Sequence, residues 1–591
     1  TPTGHLPSGS VATSKSQTGA LFKIVYAVAS STVSANLASN SSSSELTVYK
    51  GVTWDFTTNN ASGANWTGTV KLEREYNNSA VWETVHPVVG AANKNVTVSG
   101  TEDFDDAQYR VTMSDYIAGT CDVQLSIRDT SHIGIVEITS VTSPTIAIGT
   151  VRTALGGQVD TTIPATHRWS EGAWSNFRGW PKTVTISPEE RLVFSGSRSE
   201  PLTSWGSVSG NFTDMKIGSL DDDAYVFTLI GTGQQNEIQW TLPKKSLVLG
   251  TVGGEHLLGA SDDNEALTPT NVQAKLQTTY GSENIQALIV NQAILFVQRG
   301  GLKIREFLYN FESDAHNADD LTIFSNHITE SGIKDTAFQR TPEPVLWCVR
   351  DDGEIAVMTY ERKQNVFSWC RFTTGASGKF ESVAVIYGGA NNEDEVWVTV
   401  KRTIDSSTKR YIERFFQRAM PSDLDDMKYL DSFLTYDSSA TSTISGLTHL
   451  EGQLVQVLAD GAVFDNATVT SAEIVTKLDS ATTTASTVQI GLGYTSILKP
   501  MKLDIGGTGL TTTKRINRAV VNLFETIQGE IGPATDTVNT LKTGTSTLFT
   551  GSLEVSLKGG YSREGDIIVQ QSSPLPSTVL SLNLDVGVYG D

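Results

Sequence analysis

Apolar and polar residues alternate along most of this chain with a period of two, in short runs such as Leu46–Tyr49, Gly68–Leu72, Asn95–Val98 and Asp122–Ile127. Clusters of Gly, Asn, Asp and Ser separate the runs. Half-buried strands joined by tight turns read this way, so the chain is predicted to be all-β. Two stretches stand apart. Arg410–Met420 puts Ile412, Phe415, Phe416 and Met420 on one helical face, and Lys514–Phe524 fits a helix or a strand equally well.

Changes of texture divide the chain. Residues 1–45, with a Ser41–Ser44 tract expected to form a flexible loop, and residues 131–165 are assigned to an N-terminal β-barrel-like region. In the second part, Gly134–Val141 and Thr145–Arg152 predict a hairpin that returns to pair with Leu21–Ala27. Residues 46–130 carry strands eight to twelve residues apart, including the pair Trp66–Leu72 and Val81–Val85, and are assigned to an inserted Ig-like β-sandwich. Apolar strands then open at Leu192, Leu247, Ile294, Val345 and Val396, at intervals of 55, 47, 51 and 51 residues. Four of them run into a Gly-bearing turn and another strand. A period near 50 with several strands per unit marks a β-propeller, assigned to residues 166–430. Residues 431–530 are assigned to a small β module and 531–591 to closing strands.

With 591 residues the chain exceeds what one hydrophobic core organises. Its 44 basic and 65 acidic side chains leave a net charge of −21, which argues against a protein that grips nucleic acid by neutralising phosphates. Charged residues make up 18% of the chain, below the roughly 25% usual for soluble proteins, and Ser, Thr, Asn and Gly replace them. Cys121, Cys348 and Cys370 lack CxxC or Cys/His spacing, and an odd count is no disulfide framework. Cys348 and Cys370 sit in apolar runs and are expected in the core. No apolar stretch reaches the length of a membrane helix. The start, Thr1-Pro2-Thr3-Gly4, has neither an initiator Met nor a signal pattern, so a fragment or a chain trimmed upstream is expected.

Candidate chemistry is thin. The histidines at 5, 86, 132, 167, 256, 316, 327 and 449 show no HExxH or H-x-H spacing. Gly491-Leu492-Gly493 and Gly507-Thr508-Gly509 are fragments of phosphate-loop patterns and read as turns. Asp221–Asp223, Asp262–Glu265 and Asp423/Asp425/Asp426 lack calcium-loop order and read as solvated loops. A glycosidase pair is not singled out by any spacing, because its carboxylates lie far apart in a chain. Trp169, Trp174 and Trp180 fit either a sugar-stacking platform or, as preferred, a corner plugged by aromatic rings. The sequons at Asn60, Asn65, Asn95, Asn211 and Asn466 are as many as chance yields in so Ser- and Thr-rich a chain. No catalytic, cofactor-binding or metal-ligating residue is assigned, and no cofactor is expected.

One ordered series of residues goes further. Trp169–Ser175 with Arg178–Pro181 comes first, then Arg191–Ser199 with Pro201 and Trp205–Ser207. Gln235–Ile238, Gly250-Thr251, Gly253–Glu255 and Leu267–Asn271 follow. Next are Phe296–Gly301, Arg305-Glu306, and Tyr360–Arg362 with Val366 and Trp369. The series closes with Glu381–Ile386, Glu395–Trp397, Arg410–Glu413 and, near the end, Ser573–Pro576. It resembles the nozzle, or tail tubular protein B, of short-tailed bacteriophages, strongly over about 165–420 and loosely elsewhere. The resemblance implies a propeller-containing virion tail subunit without catalytic residues. It implies a hexameric ring below the portal and adaptor that retains the genome and passes double-stranded DNA at ejection. The implied partners are the adaptor, the tail fibres and, at the distal end, the host envelope. Family chains usually carry a substantial segment before the point where this one begins, and the sandwich at 46–130 is an unusual addition.

Physical chemistry agrees with such a role. Stacked sheets leave few open strand edges and make a stiff wall, and a ring needs two different complementary patches per subunit. An acidic or neutral lumen keeps DNA from sticking. Two other classes remain open: a host-surface glycan-binding or polysaccharide-degrading tail protein, built on the sandwich and the Trp-rich segment, and a free propeller enzyme.

Overall fold

The computed structural model describes residues 17–28, 30–60, 65–90, 95–127, 130–143, 146–153, 168–230, 236–262, 265–388, 392–417, 421, 423–504, 511–544 and 547–589. Its regular structure is all-β apart from three-residue 3-10 turns. The chain divides into two compact units, Thr1–Val184 with Val193–Gly206 and Val226–Ile230, and Thr185–Leu192 with Ser207–Tyr225 and Gly231–Asp591.

β1 (Leu21–Val28) is followed by the eight strands of a sandwich. These are β2 (Ser31–Leu37), β3 (Leu46–Val48), β4 (Thr53–Asn60), β5 (Thr67–Tyr76), β6 (Glu83–Gly90), β7 (Val96–Thr101), β8 (Ala107–Ala118) and β9 (Cys121–Ile127). They form two sheets, ordered β2-β9-β4-β7 and β3-β8-β5-β6. The period-2 pattern of β5, β8 and β9 sends Val70, Leu72, Tyr109, Val111, Met113, Val123 and Leu125 into one core with Trp54, Phe56 and Trp66. The sandwich therefore starts at Ser31, earlier than the predicted residue 46, because β2 pairs along its whole length with β9. The Ser-rich tract is a correction too. Ser41 and Ser43 exchange backbone hydrogen bonds with β8, and Ser42 Oγ lies 2.9 Å from Thr112 Oγ1, so the tract is bonded along the sheet rather than loose.

β10 (Thr130–Ser143) returns antiparallel to β1, with Leu21 opposite Glu137. β11 (Ile146–Thr153) and β12 (Arg168–Glu171) complete a four-stranded sheet ordered β11-β10-β1-β12. The sandwich is thus inserted between two strands that pair with each other.

Five sheets follow, the blades of a β-propeller. The first has β13 (Thr183–Ile186), β14 (Leu192–Ser195), β15 (Thr203–Gly206) and β16 (Tyr225–Thr228). The second has β17 (Ile238–Pro243), β18 (Leu247–Thr251), β19 (Gly254–Ala260) and β20 (Val272–Thr278). The third has β21 (Leu288–Val290), β22 (Ala293–Val297), β23 (Ile304–Asn310) and β24 (Ala315–Asp320). The fourth has β25 (Ile333–Gln339), β26 (Val345–Arg350), β27 (Ile355–Glu361) and β28 (Val366–Phe372). The fifth has three strands only, β29 (Lys379–Tyr387), β30 (Asp394–Ile404) and β31 (Ser407–Arg414).

Each apolar run of the 50-residue repeat is the second strand of its sheet. The packing explains why these runs are continuous. On β22, Ile294 and Phe296 join the core shared with the second sheet, while Leu295 and Val297 join the core shared with the fourth. On β26, Leu346 and Cys348 face the third sheet, and Val345, Trp347 and Val349 face the fifth. A strand covered on both faces has no polar side to alternate with. β30 differs: Val396, Val398 and Val400 are buried against the fourth sheet, and Glu395, Trp397, Thr399 and Lys401 lie on the other face, only partly covered.

The C-terminal part contains β32 (Asp431–Thr441), β33 (Thr443–Ser445), β34 (Leu454–Ala459), β35 (Ala462–Thr468), β36 (Glu473–Val475), β37 (Lys477–Leu478), β38 (Ala481–Thr482) and β39 (Ala485–Leu492) around one core. A second core is enclosed by β40 (Ser496–Leu498), β41 (Thr513–Thr526), β42 (Glu530–Gly532), β43 (Asn539–Thr540), β44 (Phe549–Ser556), β45 (Ile568–Gln571) and β46 (Thr578–Tyr589). β41 pairs with both β44 and β46. The closing strands thus share a module with residues 496–526, rather than beginning a separate one at 531.

Neither ambiguous stretch is helical over its described residues. Lys514–Phe524 lies in β41, and Arg410–Arg414 ends β31, which a two-residue turn at Asp405-Ser406, both with positive φ, folds back on β30. The helical spacing misleads because Ile412 is 77% exposed whereas Phe415 packs on Trp347 and Phe380. Met420 lies outside the described residues.

Candidate functional site

The acidic clusters are the first place to look for chemistry. Asp221–Asp223 offer Arg191 their backbone carbonyls, while the Asp223 carboxylate accepts from the Leu220 amide at 2.9 Å. Arg191, 1% exposed, donates to the carbonyl oxygens of Ser207 (2.8 Å), Asp221 (2.5 Å), Asp222 (3.2 Å) and Asp223 (2.6 Å). A guanidinium buried among carbonyl dipoles locks the loop to the residue that leads into β14. At Asp423/Asp425/Asp426, burial and then the charges of Asp460, Asp423 and Asp426 raise the Asp425 carboxyl above its usual range. Asp460 itself accepts from the Ser486 and Thr487 amides. Asp262 caps a turn at the Glu265 amide, and residues 263 and 264 lie outside the described set. Among the described residues, no three His, Cys, Asp or Glu side chains are grouped to hold a metal ion.

Four further buried charges were not legible from spacing. Glu102 accepts from the Tyr76 (2.9 Å) and Tyr109 (2.7 Å) hydroxyls inside the sandwich, and burial followed by this bond pushes the Tyr76 phenol up to about 12. Glu255 accepts from Thr278 and Ser282; burial raises its carboxyl, and these bonds with the Arg305 charge oppose the rise. Glu306 accepts from Tyr360 and Arg362 of the next sheet. Arg402, fully buried, donates to Glu413 (2.8 Å), Thr374 Oγ1 (2.6 Å) and the Gly375 carbonyl (2.9 Å), with Asp431 at 3.4 Å.

Glu413 and Asp431 are the nearest approach to a catalytic carboxylate pair. They border a cleft of about 720 Å³ that Phe372, Tyr411, Phe416, Tyr429 and Phe433 also line. Yet both carboxylates share the same guanidinium, and Ser432 Oγ bonds Glu413 at 3.0 Å. Carboxylates clamped in this way hold a sheet to the next module; a general acid needs a proton and a free face.

The Trp-rich segment resolves into parts. Trp174 packs edge-on against Phe194 (4.8 Å) and Trp205 (5.4 Å), an aromatic plug as preferred from sequence. Trp169 packs on Phe22, and Trp180 is exposed with its indole bonded to Asn176. In the sandwich, Trp54 and Trp66 are core and Arg110 lies 3.9 Å over the Trp82 ring. The histidines stay apart: His316 stacks on Phe307 and bonds Gln277, and His449 bonds the Ser432 carbonyl. Burial lowers the pKa of both His256 and His316. His5, His167, the His132 side chain and Gly507–Gly509 lie outside the described residues.

Cys121 and Cys348 are buried, and Cys370, predicted to be core, is exposed. It sits on the fourth strand of its sheet, where one face meets solvent. Burial pushes the Cys121 thiol up to about 12 and raises Cys348 as well. Iodoacetamide at neutral pH should therefore alkylate Cys370 in the native chain and reach the other two only after unfolding, by peptide mass spectrometry.

No family model matches the chain, and no curated protein matches it. Solved structures with some likeness include a protein from Lactobacillus plantarum, 11% identical over 61% of this chain and 94% of that one, with a TM-score of 0.26. An exo-beta-1,3-galactanase from Phanerochaete chrysosporium is 7% identical over 70% and 97%, with a TM-score of 0.22. The NanB sialidase of Streptococcus pneumoniae is 10% identical over 65% and 87%, with a TM-score of 0.17. Likeness this slight says nothing about the chemistry of this chain.

Proposed function

We propose that this chain is a structural subunit of a bacteriophage tail, forming the nozzle tube below the portal and adaptor. As a hexameric ring it retains the genome and conducts double-stranded DNA during ejection, without catalysis and without sequence-specific contact. Its place is the virion tail, between the adaptor above, the tail fibres beside it and the host envelope below.

One observation carries this reading: residues of the family-like series bond to one another, and Glu413, which borders the cleft, is itself held in an ion pair with Arg402. Glu306 of one segment takes bonds from Tyr360 and Arg362 of another, Glu381 pairs with Arg410 at 2.6 Å, and Trp174 meets Trp205. Bonds within one sheet, such as Glu381 with Arg410, and between neighbouring sheets, such as Glu306 with Tyr360, suit a wall that must stay rigid while something passes it. The net charge of −21 fits a conduit, since repulsion keeps phosphate from adhering. The glycan-binding alternative is less favoured in the sandwich, where Trp66 is core and Trp82 is half-buried beneath Arg110 rather than part of an exposed row.

An image of the assembled chain tests the reading. Six-fold rings with an axial hole whose lining is acidic or neutral are expected. A narrowest ring built from several Lys or Arg would contradict the low-friction conduit.

A further inference from the structure

Among the described residues the fifth propeller sheet is one strand short. In the second, third and fourth sheets a fourth strand (β20, β24, β28) pairs antiparallel with the third. β31 is the third strand of its sheet and, among the described residues, pairs with β30 alone. The described residues after β31 do not turn back along it as they do after the third strand elsewhere. Directly after β31, Phe415 bonds its amide to the Val396 carbonyl and inserts its ring between Trp347, Phe372 and Phe380.

The open edge has a definite register. With the Phe415 N–H on Val396, alternation points the amides of Lys409, Tyr411 and Glu413 at β30 and those of Thr408, Arg410, Ile412 and Arg414 outward. Ile412 is 77% exposed, and the aromatic-lined cleft of about 720 Å³ runs along this edge. An unprotected edge of this length is a template for another strand.

The margin also names its partner. Lys401, Arg402, Lys409, Arg410, Arg414 and Lys428 surround it against the carboxylates Glu381, Glu395, Glu413 and Asp431, so it is locally basic in a chain of net charge −21. A second copy of the chain is an acidic partner, and a ring needs such a non-identical patch on every subunit. We propose that β31 receives its fourth strand in trans, from an extended segment of a neighbouring copy. The proposal rests on the ring reading above and identifies one seam of that ring.

Amide hydrogen exchange and native mass spectrometry on the full chain test it. In assembled material the amides of Thr408, Arg410, Ile412 and Arg414 should exchange ~10-fold or more slowly than in copies dissociated by dilution. Ile412→Pro removes an outward N–H and leaves the β30 ladder intact, a substitution edge strands tolerate. It should yield dissociated, folded copies, whereas Ile412→Thr, which keeps the N–H, stays assembled. Rings that form with these four amides unprotected, or that survive Ile412→Pro, overturn the seam and leave the ring standing. Protection that appears only when another protein is added overturns the second copy as donor. A wild-type chain that stays monomeric overturns the ring reading itself, and the seam with it.

Discussion

Arg402→Ala should cost about 3–5 kcal/mol of local stability, the loss expected when one partner of a buried ionic cluster is removed. The side chain is fully buried and serves four acceptors from three stretches of chain: Glu413 on β31, Thr374 and Gly375 after β28, and Asp431 at the start of β32. Removing it leaves two carboxylates facing each other with no cation between them. Asp431 still accepts from the Gly375 amide at 2.8 Å, so its charge cannot simply move into solvent. Arg402→Lys keeps the charge but lacks the planar fork, and should lose an intermediate amount. The chain has several modules and one global transition is not expected, so the measurement is local. Exchange of the β30, β31 and β32 amides under increasing urea should show these strands opening together and earlier. Arg410→Ala, which breaks an exposed pair with Glu381, is the control and should leave them unchanged. Equal effects of the two substitutions would refute the clamp.

Trp240→Ala should have a similar cost, about 3–5 kcal/mol, by a different route. The indole is fully buried between the second and third sheets and packs on Phe296 with ring centres 5.8 Å apart. Opposite it the sequence places Gly250, where an added Cβ would lie 2.1 Å from the ring atom Cε2. The glycine is therefore the hole into which the indole fits, and Gly250→Ala should also destabilise, by overpacking, about 1–3 kcal/mol. The two changes share one space, so in the double variant the losses should not add. Exchange protection of β17, β18 and β22 measures all three variants. A strictly additive double variant would mean that the two residues do not share the space described.

These two sites show what was legible in the sequence. The 50-residue spacing was, because repeats such as those at Ile294 and Val345 begin on strands with both faces covered and so read as unbroken apolar runs. The end of the stack was legible as well: Glu395–Lys401 alternates, and β30 has one covered face. Nothing local announced the charge clamps. The acceptors of Arg191 are backbone carbonyls, which any residue supplies, and Arg402 finds Asp431 only after the chain has left the sheet. The same limit explains Cys370. Its run looked like core, and only the knowledge that it forms a fourth, outer strand places it in solvent. At Arg410–Met420, period and burial parted company because Ile412 and Phe415, one helical turn apart in spacing, leave a strand on different sides. The role itself rests on a series of motifs whose partners, Glu306 with Tyr360 and Glu381 with Arg410, only the fold brings together.

Native mass spectrometry of the purified 591-residue chain tests the central claim most directly. The account predicts a dominant species at six times the 63.7 kDa mass of one chain. A chain that remains monomeric at high concentration would contradict it.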